Sequence, residues 1–173
     1  PGEDEQYRAY CEAIDGMQGL PVTIRTIDVG ADKPLDNKAH KDNYLNPALG
    51  LRAIRWSLAD PAMFRTQLRA VLRAAAHGKV KLLFPMLAHV SEITQTLAQV
   101  DLARAELDAR GVAYGTVQLG AMIEIPAAAL MVRTFFKSSL VCWAVFIRTS
   151  YRTWIPPARA RITVLPPCSA PDR

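Results

Sequence analysis

Three short runs of β-branched and aliphatic residues alternate along this chain with stretches of helical periodicity, and that alternation limits the folds open to it. The runs are 21–29 (PVTIRTIDV), 79–87 (KVKLLFPML) and 116–125 (TVQLGAMIEI). Their composition predicts strands. Before the first, Tyr7, Tyr10, Cys11, Ile14 and Met17 recur at helical spacing, predicting a helix over 3–17. After a polar loop at 30–45, Asn46-Pro47 and Asp60-Pro61 each pair an N-cap residue with Pro at the first helical position. The two helices they open carry Leu49, Leu51, Ile54 and Leu58, then Phe64, Leu68, Val71, Leu72 and Ala75, with Gly78 as the stop of the second. Ser91 is placed to cap a fourth helix ending at Gly111, and Pro126 opens a fifth reaching about Lys137. Strands alternating with helices imply a parallel sheet with crossover helices. Three parallel strands are few for an open sheet, and a complete (β/α)8 barrel takes about 250 residues. The expectation is therefore α/β: part of a TIM-type (β/α)8 barrel, with about three parallel strands and an irregular tail.

The tail stands apart in charge and composition. Residues 1–136 hold 15 basic and 15 acidic residues, whereas 137–173 hold 6 basic and 1 acidic, so the whole net charge of +5 arises there. Residues 138–173 contain Trp143, Trp154 and five of the twelve prolines, and the apolar run LVCWAVFI leads into an Arg/Pro-rich segment with no usable helix or strand period. The expected division is a barrel portion over 1–137 and an atypical tail over 138–173. A nucleic-acid-binding tail is a weaker reading, because no recognised module frames its Trp and Arg residues. No apolar run reaches the length of a membrane span, and Glu3, Asp4 and Glu5 occupy the place of a signal peptide's basic region. Cys11, Cys142 and Cys168 are odd in number and widely spaced. They fit a reducing, cytoplasmic setting better than a disulfide frame.

Ligands of β/α architectures bind at the carboxyl ends of the strands. Arg25 and Asp28 lie late in the first strand, Phe84, Pro85 and Met86 end the second, and Glu124 ends the third. Arg52 falls in the first turns of the helix after the first strand. Arg25 and Arg52 together suit a phosphate or carboxylate; the plainer alternative is that both are surface or salt-bridge residues. Glu124 closes an apolar run, where a carboxylate is costly unless paired or metal-bound. It suits either a neighbouring Arg or Lys, or Mg²⁺, which favours one or two carboxylates with substrate oxygens. His40, His77 and His89 lack metal-ligand spacing and read as structural, and Cys11 reads as core. No P-loop, GxGxxG, HExxH, CxxC or GxSxG pattern is present.

The strings VTIRTIDVGADK (22–33), NPALGLRAIR (46–55), QLRAVLRAAAHGKVKLLFPML (67–87) and LGAMIEIPAAA (119–129) resemble Enzyme I, the phosphoenolpyruvate–protein phosphotransferase of the bacterial sugar phosphotransferase system. The resemblance is to its C-terminal phosphoenolpyruvate-binding barrel and covers about 5–136. Pyruvate phosphate dikinase and phosphoenolpyruvate synthase share that barrel but look less similar. The resemblance implies phosphoryl transfer from phosphoenolpyruvate to a protein histidine and on to the histidine-containing phosphocarrier protein. It gives Arg25 and Arg52 to phosphoenolpyruvate and Glu124 to Mg²⁺, the same residues the strand-end argument selects. It also implies a dimer, with no nucleic-acid or membrane partner. Several family parts are not found. The phosphorylated histidine and its domain are absent, and the arginine of the preceding strand falls before residue 1. No Gly-Thr-Asn-Asp strand follows Lys137. Cys142 and Cys168 lack the context of the proton-donor cysteine, so no catalytic residue is assigned. The chain alone is expected to be inactive. Its tail is expected to be out of frame or foreign to the parent gene. The alternative is a non-catalytic, self-associating barrel fragment.

Overall fold

A computed structural model of the chain describes residues 1–28 and 50–131, Thr134, and two strands at 143–147 and 162–164. The polar loop at 30–45, His40, Cys142 and Cys168 lie outside the described residues. The elements run α1 (Glu3–Gly16), β1 (Val22–Arg25), α2 (Ala53–Ala59), α3 (Pro61–Ala74), β2 (Val80–Phe84), α4 (Val90–Ala109), β3 (Val117–Ile123), α5 (Pro126–Leu130), β4 (Trp143–Ile147) and β5 (Ile162–Val164). They form one sheet in the order β1-β2-β3-β4-β5. The pairs β1/β2, β2/β3 and β3/β4 are parallel, and β4/β5 is antiparallel. The three expected parallel strands with crossover helices are present, as in part of a (β/α) barrel.

The tail corrects the sequence reading. Residues 143–147 supply a fourth parallel strand, in register from Gly120 opposite Trp143 to Ile123 opposite Phe146, and 162–164 supply the fifth. A continuous apolar run such as WAVFI has no alternating period to read.

Register and the two-residue strand period sort the side chains into two faces. Ile24, Leu82 and Leu119 lie opposite one another, and all three are buried in the core beneath the helices. Phe84, Ala121 and Ile123 share that face, with Phe64 of α3 meeting Phe84 edge-on at 6.5 Å between ring centres. The opposite face carries Thr23, Lys81 and Gln118 in one row, then Arg25, Leu83 and Gly120 in the next.

Several element ends differ from expectation for identifiable reasons. The first helix after β1 starts at Ala53, not at Pro47; 46–49 lie outside the described residues, and Leu51 is an exposed bend residue. Asp60 does cap α3, its Oδ1 accepting the Met63 N–H at 3.1 Å. Gly78 is not the stop of α3, whose C-cap is Ala75. It is needed because a Cβ there would lie 2.5 Å from Ile14 Cγ2, where α1 crosses the chain. Ser91 is not the cap of α4. His89 is, with its Nδ1 accepting the Ser91 N–H at 3.2 Å, while Glu92 Oε2 accepts the His89 N–H at 3.0 Å. Gly111 ends α4 at φ 63°, as a C′ glycine should. The α5 helix is described over Pro126–Leu130 and Thr134 is again helical, while 132–133 and 135–137, where the sequence reading continues it, lie outside the described residues. Among the described residues no helix is long and apolar enough to cross a membrane.

Candidate functional site

The strand period places Arg25 on the sheet face turned away from the helices, at the carboxyl end of β1. Glu124 follows β3 on the same face, four residues after Gly120, which lies in Arg25's row. β1 ends at Arg25, so Asp28 lies just beyond the strand. The Asp28 carboxylate meets both arginines: Oδ2 is 3.3 Å from Arg25 Nη1 and Oδ1 is 3.1 Å from Arg52 Nη2. Arg52 and Asp28 are largely buried, while Arg25 keeps 49% of its side chain exposed.

Arg52 sits one residue before α2 rather than within its first turns. It is extended (φ −149°, ψ 165°), and Ala53 after it is left-handed at φ 48°. That turn in a non-glycine residue is strained, and it aims the guanidinium back at β1. A second strained residue, Met86 at φ 56°, follows β2. Its N–H donates to Glu124 Oε1 at 2.7 Å. Ala53, Met86 and Ile125 pack together as a small apolar cluster separate from the main core. These two positions adjoin the charged groups, and a third left-handed non-glycine residue, Gln18 at φ 49°, lies in the turn after α1.

Burial raises the pKa of Glu124. The Met86 N–H opposes that rise, the Asp28 charge adds to it, and the Arg25 and Arg52 charges oppose it. Glu124 thus lies within range of the charges of Asp28, Arg25 and Arg52 at the strand ends. The arrangement can hold an oxygen-rich anion on the guanidinium groups. Glu124 fits a divalent cation by the same observation: its carboxylate is partly desolvated, and a cation would offset that cost. Among the described residues no group of three or more His, Cys, Asp or Glu could hold a metal ion by itself. A metal here would need ligands from elsewhere, such as substrate oxygens.

The structure thus brings Arg25, Arg52 and Glu124 to one end of the sheet. The sequence reading gave no role to Asp28 or Gln67. The Gln67 side chain on α3 accepts the Ile27 N–H at 3.1 Å and donates to Tyr10 Oη at 3.1 Å. An acid three residues after Arg25 was the only sign of the first; nothing in the sequence marked the second. His77 and His89 are structural, as expected: His77 Nε2 meets Tyr7 Oη at 2.8 Å, and His89 caps α4.

Parallel strands, crossover helices and charged groups gathered at the carboxyl strand ends define the class: part of a β/α barrel with a strand-end site. The sequence model of the family described as PEP-utilising enzyme, PEP-binding domain matches residues 1–140, and the chain belongs to that family. It is 63% identical over 139 residues to a protein of Cupriavidus necator named Phosphoenolpyruvate-protein phosphotransferase. Proteins of the same name from Streptococcus equinus and Lactococcus lactis subsp. lactis are 47% and 46% identical over 140 residues. Each alignment covers 79% of this chain and 24% of the relative. The chain thus spans about a quarter of the length of these relatives.

Proposed function

We propose that this chain is part of the phosphoenolpyruvate-binding barrel of a protein phosphotransferase of sugar uptake, and that it keeps half of the substrate site. The observation that carries this reading is the joint position of Arg25, Arg52 and Glu124 at one end of the sheet, within reach of one another's charge. Arg25 and Arg52 bind the phosphate or carboxylate of phosphoenolpyruvate through paired hydrogen bonds. Glu124 is one ligand of Mg²⁺, with its other oxygen held in place by the Met86 N–H. When bound, the cation supplies charge stabilisation at the phosphoryl oxygens. The arginines do the same from the protein side, being already oriented before substrate arrives.

Transfer breaks the bond between phosphorus and the enol oxygen and leaves an enolate that must take a proton on carbon. Neither guanidinium is suited to give that proton, so the acid and the acceptor histidine belong to other parts of the whole protein. The phosphocarrier protein that takes the phosphoryl group onward is a separate partner, and the dimer contact belongs to the barrel domain. The chain alone is inactive in this reading. Residues 138–173 are in this reading a tail outside the family's frame.

Calorimetric titration of phosphoenolpyruvate with Mg²⁺ into the chain tests the proposal. Saturable binding is expected, with at least a tenfold loss in Arg25→Ala. Absence of binding, or binding indifferent to Arg25, would overturn it and leave a barrel fragment with no surviving site.

A further inference from the structure

The two arginines are held by a third residue, and that residue is itself held from the far side of α3. Asp28 divides its carboxylate between them, one oxygen to each guanidinium. It can do so only if the chain leaving β1 turns at a fixed point. Thr26 is still paired to the sheet, its N–H donating to the Leu83 carbonyl at 3.0 Å. Ile27 has left it, and its N–H donates instead to Gln67 Oε1. Gln67 is in turn fixed by Tyr10 of α1, whose hydroxyl donates to Gln6 Oε1 at 3.3 Å. A line of hydrogen bonds therefore runs from α1 through α3 to the backbone directly before Asp28.

We propose that Asp28 is a positioning residue that sets the spacing and orientation of Arg25 and Arg52 for an anionic ligand, with Gln67 bracing the turn that carries it. The inference rests on the reading that those arginines bind phosphoenolpyruvate. A guanidinium offers five donors in a fixed planar fork, so the Asp28 contact fixes the plane in which each arginine presents itself. Without Asp28, two long side chains would have to be ordered when the ligand arrives, at an entropic cost. Asp28 also carries a negative charge beside an anion site. By charge alone its removal should strengthen anion binding. Positioning and charge thus predict opposite signs.

The test is titration of phosphoenolpyruvate, without added metal, into the full chain and its Asp28→Asn and Gln67→Leu variants. Positioning predicts about tenfold weaker binding in Asp28→Asn despite the loss of a negative charge beside the anion site. It predicts several-fold weaker binding in Gln67→Leu at unchanged net charge. Equal or tighter binding in Asp28→Asn would make Asp28 a competitor of the ligand and overturn the inference. Should Asp28→Asn fail to fold, Gln67→Leu decides by the same comparison. A ligand-free readout separates this inference from the one beneath it. In nuclear magnetic resonance the Arg52 guanidinium signals are expected to show restricted rotation in the native chain, lost in Asp28→Asn. Unchanged signals would overturn positioning. If the native chain binds no phosphoenolpyruvate, the proposed function falls and the guanidinium signals alone decide whether Asp28 orders the pair.

Discussion

Single charged residues hold α1 to the rest of the molecule. Glu3, at the start of α1, accepts from Arg69 at 2.7 Å, Arg73 at 2.7 Å and Arg110 at 3.0 Å, joining α1 to α3 and to the end of α4. Burial by itself would raise its pKa. Hydrogen bonds from Arg110, Arg69 and Arg73 outweigh that and hold it at about 2, against an ordinary 4.5. A carboxylate with a lowered folded pKa contributes stability that is complete above the unfolded value and is lost as pH falls through the folded one. The window is therefore from about pH 4.5 down to about pH 2. After allowance for solvent screening the contribution is about 1–3 kcal/mol. Thermal melts of the native chain and Glu3→Gln should differ most above pH 5 and converge toward pH 2. A difference that stays constant across that range would mean the ion pairs contribute nothing through the Glu3 charge.

Elements are held by their ends as much as by their faces. Glu92 Oε2 accepts from the N–H groups of both Ala88 and His89, at 2.6 and 3.0 Å, so one carboxylate satisfies two donors before the first turn of α4. Glu92→Ala should cost about 1–2 kcal/mol in urea unfolding. A loss below 0.3 kcal/mol, about the size of an ordinary surface substitution, would show that water replaces it freely. The sequence carried the existence of α1, α3, α4 and β1–β3 clearly, because each is long or strongly patterned. It misplaced the cap of α4 because histidine is not among the common N-cap residues, whereas the nearby Ser91 is. It misread Gly78 as a helix stop because a glycine required by a crossing helix and a glycine required by a positive φ look the same in one dimension. Arg25, Arg52 and Glu124 were legible as strand-end charges. Asp28 was legible only as one more strand-end charge and Gln67 not at all, since their roles lie in contacts 24 and 40 residues away in sequence.

At the scale of the molecule the open question is what the tail contributes. The family match ends at residue 140, yet β4 begins at Trp143 and lies along β3 for four paired positions. The chain beyond the family match therefore completes the sheet beside the strand that leads to Glu124. Without it, β3 would become an edge with unpaired N–H and C=O groups, and edges of that kind invite pairing with another copy. A chain ending at residue 140 should lose about 2–4 kcal/mol, the worth of a short ladder of hydrogen bonds. In light scattering it should form larger species as its concentration rises. It should also bind phosphoenolpyruvate more weakly than the full chain, because Glu124 directly follows the strand left unsupported. Equal melting temperatures and equal scattering for the two lengths would mean that β4 contributes no stability in solution. The family portion would then stand alone, and the division at residues 137 and 138 would be one of structure as well as of sequence.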